Sequence, residues 1–348
     1  MPARGTSSRS TVVTSKNRRP PARSEVKSSQ RPDLISVTTR QSRPAYDDSA
    51  LSIYRGRRAA LDAVEPNSYR WLQGLRVALL AGLSLLALCE TAEAHFQLLY
   101  TPEAALNESQ AVPLTLVFSH PFDNGYTMDM GHPEAFYVVS QRGADSDKTT
   151  TDLMQYLEPI VWSGVDSQAA AYVAHPPRRA TRSLGDHTFV LRPAPYYEAQ
   201  EDKYIQQITK TVINIGGIPG AWDEPLGLPV EIVPLDKPYA NWVGGVFRAV
   251  VLAGGRPVPH AEVEIEFLNH EPEIDAHRFD PEGKVTAPQG SFVTLSIRAD
   301  AMGQITIGLP KAGWWGICAL DLDDGLEHEG KDLSVDAVLW IKATDMTR

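Results

Sequence analysis

The chain has 348 residues, with 43 acidic against 33 basic side chains and two cysteines. From His95 onward 35 acidic residues face 18 basic ones, a balance that repels nucleic-acid phosphates and concentrates cations instead. Only Cys318 lies beyond Cys89, which excludes a thiolate cluster, a Cys-x-x-Cys redox site and an internal disulfide from that part of the chain.

Residues 1–66 are rich in Ser, Thr, Pro, Arg and Lys and show no apolar periodicity. Such a segment cannot bury enough surface to offset its ordering entropy, so it is expected to be a disordered extension or a mis-assigned start. On the second reading the true start lies near Tyr69 to Val77. Residues 67–94 read as a signal peptide: Arg70 and Arg76, the apolar run "LRVALLAGLSLLALC" at 75–89, then Ala92-Glu93-Ala94. The run is shorter than the about 20 residues of a membrane span, and Leu88 is too large for the position before a lipoprotein cysteine. Cleavage after Ala94 and a periplasmic location are the expectation. The new terminus would be His95, whose amine and imidazole can chelate one metal ion.

From His95 the chain breaks into short β-branched and aromatic runs separated by Gly, Pro, Asn and Asp. "VPLTLVFSH" (112–120), "EAFYVVSQ" (134–141), "HTFVLRPAP" (187–195) and "KYIQQITKTVIN" (203–214) have strand composition. "TTDLMQYLEPIVW" is the one stretch with weak helical character. The expectation is an all-β chain with a metal-binding sandwich at 95–238, including a linker rich in Gly and Pro at 216–238 whose "GLPVEIVPL" is extended and packed.

A second sandwich is expected at 239–348. In "AEVEIEF" the residues Val263, Ile265 and Phe267 should face a core, with Glu262, Glu264 and Glu266 towards water. The patterns G-x-P-V-x-x-A-x-V at 255–263 and D-x-x-G-x-x-x-x-x-L-P at 300–310 resemble transthyretin-like or carboxypeptidase-regulatory sandwiches. That resemblance implies a fold and little chemistry.

The candidate chemistry lies early. His95, His120 and His132 fall close together, and Asp123, Met128, Asp129 and Met130 lie between the last two. Imidazole suits Ni, Co, Cu and Zn, while thioether sulfur suits softer ions. The candidate metal ligands are His95, His120, His132 and Met130. Each has a plainer alternative: His95 as a strand residue, His120 as a strand end before proline, His132 as a turn residue, Met130 as core. In "PAPYYEAQEDKYIQQITK" (193–210) the carboxylates Glu198, Glu201 and Asp202 are either a solvated turn, the preferred reading, or support that fixes a histidine tautomer. No nucleotide-binding, hydrolase-elbow or kinase motif is present in the sequence, and a binding protein is favoured over an enzyme.

Several separated phrases, "AHFQLLYTP", "SHPF" with "MDMGHPEAFYV", "LGDHTFVLRPAPYYEAQEDKYIQQITKTVIN" and "GWWGICAL" with "AVLWIKA", resemble one family across about 95–346. These are exported proteins labelled as the periplasmic component of an ABC-type cobalt/nickel transport system. The resemblance implies capture of Ni(II) or Co(II) for a membrane transporter, with His95 and His120 as ligands. The long amino-terminal extension departs from the family. The alternatives are a periplasmic copper-binding or resistance protein, a histidine-brace copper oxygenase, and a structural adhesin-like module without metal.

Overall fold

A computed structural model describes residues 95–123, 126–143, 145–323 and 325–346, all within one compact unit. The expectations for 1–66 and for the export signal at 67–94 lie outside the described residues. Strands of four residues or more are β1 (Phe96–Tyr100), β2 (Leu114–Ser119), β3 (Ala135–Gln141), β4 (Thr149–Asp152) and β5 (Leu157–Ser163). There follow β6 (Gln168–Ala174), β7 (Gly185–Arg192), β8 (Lys203–Ile215), β9 (Val230–Pro234) and β10 (Val246–Ala253). The last are β11 (Glu262–Phe267), β12 (Leu295–Arg298), β13 (Gln304–Gly308), β14 (Gly313–Ala319) and β15 (Lys331–Thr344). The fold is all-β.

Among the described residues the strands form three sheets of seven, twelve and four strands. The large sheet runs in the order β12-β11-β14-β15-β8-β7-β3-β4 and backs both halves of the chain. Its midpoint is the parallel pairing of β8 with β15, from Tyr204 opposite Leu333 to Thr211 opposite Trp340. On one half lies the sheet β1-β2-β6-β5, closing a core of Leu114, Leu116, Phe136, Phe189 and Ile213. On the other lies the sheet of β9, β10 and β13, closing a core of Ile232, Phe247, Val263, Ile307 and Leu339.

Three expectations need correction. The "TTDLMQYLEPIVW" stretch holds no α-helix: β4 and β5 flank a single 3-10 turn at Met154–Tyr156, and Pro159 within it has no N–H for a helical bond. The extended part of 216–238 is β9, paired antiparallel with β10, so by hydrogen bonding it joins the second sandwich ahead of residue 239. Glu262 is exposed, but Glu266 is 1% exposed because Thr294 and the Phe122 backbone cover that end of β11 and donate to its carboxylate.

The D-x-x-G segment shows why its residues recur. Asp300 Oδ1 accepts from the N–H groups of Met302 and Gln304 at 2.8 and 2.9 Å, and Gly303 takes a φ of +72°. A side chain there would lie 3.0 Å from the Val258 nitrogen as well as in a strained backbone region.

The strand β1 is buried on both faces. Leu99 joins the first core, whereas Phe96, Leu98 and Tyr100 join a third cluster with Trp162, Trp314 and Trp340. An alternating strand normally buries one face, so this double burial accounts for apolar side chains on both faces of β1 and holds His95 at a defined end of the strand.

Candidate functional site

The site begins with strand register. β1 and β2 are antiparallel, with Phe96 opposite Ser119, and extending that ladder by one pair sets His95 opposite His120. Their rings meet edge to face with centroids 4.8 Å apart. Phe118 and Tyr196 complete a ring cluster around His95 at 5.7 and 6.5 Å. His120 is 6% exposed, its backbone N–H donates to the Tyr126 carbonyl at 3.3 Å, and the Tyr126 ring lies 6.4 Å from its own.

A carboxylate comes from the β8 hairpin. Tyr196–Glu198 pairs back onto β8, and Glu198 Oε2 lies 3.2 Å from His95 Nε2. The other carboxylate oxygen accepts from the Gln200 N–H at 3.0 Å, which fixes its direction. Of the two readings of the acidic stretch, the structure supports histidine support at Glu198, with Glu198 itself 8% exposed. Burial and the nearby Glu198 carboxylate both raise the Tyr196 phenol above its ordinary pKa.

Two glutamines tie the site to the large sheet. Gln207 on β8 donates to the His95 carbonyl at 2.8 Å and accepts the Gln97 N–H at 2.7 Å. The Gln97 side chain donates to Met130 Sδ at 3.4 Å. Met130 lines a small crevice with Gln97, Phe118, Tyr196 and Gln207. Asp129 is occupied by the Ala170 N–H at 2.7 Å. His132 is placed elsewhere: it is exposed, with its ring 6.0 Å from that of Tyr172.

Sequence reasoning missed Gln97 and Gln207. Their hydrogen bonds join positions more than a hundred residues apart, and two polar residues inside apolar strands were the only local sign. Among the described residues no group of three or more His, Cys, Asp or Glu side chains is arranged to hold a metal ion.

Fold and site together define an all-β protein with a paired-histidine end to its first strand. Residues 92–323 match the domain of unknown function DUF4198, and the chain belongs to that family. No curated protein sequence matches the chain. Among solved structures, the D0-D1 domain of intimin is 11% identical, covering 72% of this chain and 100% of its own at a TM-score of 0.18. The Yersinia pseudotuberculosis adhesin InvE is 13% identical, covering 70% of this chain and 58% of its own, also at 0.18. At such scores the likeness carries no statement about how this chain works.

Proposed function

We propose that this protein is an exported carrier that binds Ni(II) or Co(II) for a membrane transporter, the ion being held by the amine and imidazole of His95 together with His120. The observation that carries this reading is the His95–His120 contact with Glu198 on His95 Nε2. A carboxylate on Nε2 leaves Nδ1, the ring nitrogen nearer the main chain, to chelate with the amine. Glu198 then holds the ring in the tautomer and orientation that ligation needs, the usual task of a carboxylate behind a metal-binding histidine.

Two further features support a carrier. His95 is half-buried, neither sealed nor free, and an ion that must be released needs a site with an open position. The acidic balance of the chain raises the local cation concentration. Met130 is engaged by Gln97, and His132 does not take part in this reading. The transporter rests on the family resemblance alone.

The donor set is rich in nitrogen, and among divalent ions such sites hold copper most tightly. A copper-handling role is therefore the second reading, and competition decides between them.

The test is native mass spectrometry of the exported protein with nickel, cobalt and copper. The expected result is a chain beginning at His95 with one bound ion. Glu198→Gln should weaken binding about 10- to 100-fold, and His120→Ala should weaken it further. Retention of copper against excess nickel transfers the proposal to copper handling. A different amino terminus, or unchanged metal content in His95→Ala, ends it.

A further inference from the structure

A second cavity lies beside β4, the edge strand of the large sheet. It is a groove of about 500 Å³, lined among others by Ser140, Arg142, Thr151, Tyr156, Arg179 and Arg182, with Asp147 as its one carboxylate. Three guanidiniums in one groove invert the acidic balance of the chain. Among the described residues none of the three is held in an ion pair.

The local sequence explains the cluster. Pro176-Pro177 leads into a 3-10 turn at Arg178–Thr181, where Ala180 and Thr181 are buried, so Arg179 and Arg182 remain exposed. Arg179 is oriented, because its Nη2 donates to Tyr156 Oη at 2.9 Å. The Tyr156 hydroxyl keeps its own proton to donate. A guanidinium offers up to five N–H donors in a planar fork that matches the oxygens of a phosphate.

Ser140 adds a selective element. It stands opposite His187 in the β3–β7 ladder, and its Oγ lies 2.7 Å from His187 Nδ1. His187 Nε2 lies 2.9 Å from the Ser183 carbonyl. A carbonyl only accepts, so Nε2 carries the proton. Burial pushes the His187 pKa down and so favours the neutral ring, in which Nδ1 takes the Ser140 proton. The Ser140 oxygen is left as an acceptor on the groove.

We infer that the groove binds a phosphate group that carries a proton, its charge met by Arg142, Arg179 and Arg182 and its hydroxyl by Ser140. Hydrogen phosphate and the singly protonated form of a phosphate monoester fit this description. Sulfate has the same shape, but it has no proton to give.

The test is isothermal titration of the metal-free protein with inorganic phosphate, glycerol 3-phosphate and sulfate, in a low-salt buffer near pH 6. Phosphate should bind once per chain, with sulfate at least about tenfold weaker because it leaves Ser140 unpaired. Arg179→Gln should weaken phosphate about tenfold without lowering the melting temperature. Ser140→Ala should bring phosphate and sulfate together, and His95→Ala should leave phosphate binding intact. Binding of glycerol 3-phosphate as well identifies an organic phosphate, and binding of inorganic phosphate alone identifies the free anion; both uphold the site. Failure of both phosphates to bind, equal affinity for sulfate, or indifference to Arg179→Gln overturns it.

Discussion

The two halves of the large sheet differ in the kind of polar group they hold. In the first, a hydrogen-bonded chain through Gln97, Gln207 and Glu198 leads to the His95 end of β1, beside Thr115, Ser119 and Thr127 hydroxyls that are buried without a partner among the described residues. In the second, burial raises carboxyls: the half-buried Glu264 to about 7, and the buried Glu266 and Asp336 to about 8 and about 6. One end leads hydrogen-bonded groups to the histidine pair, and the other holds carboxyls against ionisation. At the junction Lys210 of β8 and Glu231 of β9 form an ion pair at 2.8 Å, 3% and 1% exposed. Glu231 also accepts from the N–H groups of Leu226 and Gly227 at 3.1 and 3.0 Å.

The junction is where the comparison breaks most readily. Lys210→Met should cost about 3–5 kcal/mol in unfolding free energy, because it strands a buried carboxylate. Urea denaturation measures it, and Lys210→Met combined with Glu231→Leu should recover most of the loss. A single variant as stable as the parent would show that the pair holds nothing together.

A smaller effect is expected where β1 meets the second half. A methyl on Gly316 would lie 2.9 Å from both Phe96 and Trp340, two rings with little freedom to yield. Gly316→Ala should destabilise by about 1–3 kcal/mol, read by thermal unfolding. Because Phe96 adjoins His95, it should also shift the NMR signals of the His95 ring, whereas a change confined to stability would uncouple the two regions.

The finest distinction is in pH dependence. A carboxyl raised from its ordinary value of 4.5 to about 8 keeps a proton in the folded state that the unfolded chain has lost. Its contribution to stability therefore declines as pH rises from about 4.5 to 8. Glu266→Gln should flatten the difference in denaturation midpoint between pH 5 and pH 8 and gain about 1 kcal/mol at pH 8. An unchanged slope would assign the pH response to other groups.

The strands were legible because period-two alternation and Gly or Pro breaks are local. β2, β3, β7 and β8 lie within the stretches read from composition or extend them by two residues or fewer. The helical reading at 150–162 failed because Leu153 and Leu157 fit both periods, and Pro159 decides only weakly by itself. Glu198 was visible as part of an acidic stretch. Its role was not, since a turn carboxylate and a histidine support have the same composition.

By itself the sequence determined the all-β class, most strand positions and the residue types available for chemistry, because these follow from side-chain period and donor chemistry along neighbouring positions. Tertiary structure decided that one sheet backs both halves, that β9 joins the second, and that His95, His120 and Glu198 meet while His132 stands apart. Those outcomes depend on hydrogen-bond register between strands far apart in the chain, such as β8 with β15, and no local pattern encodes such a register.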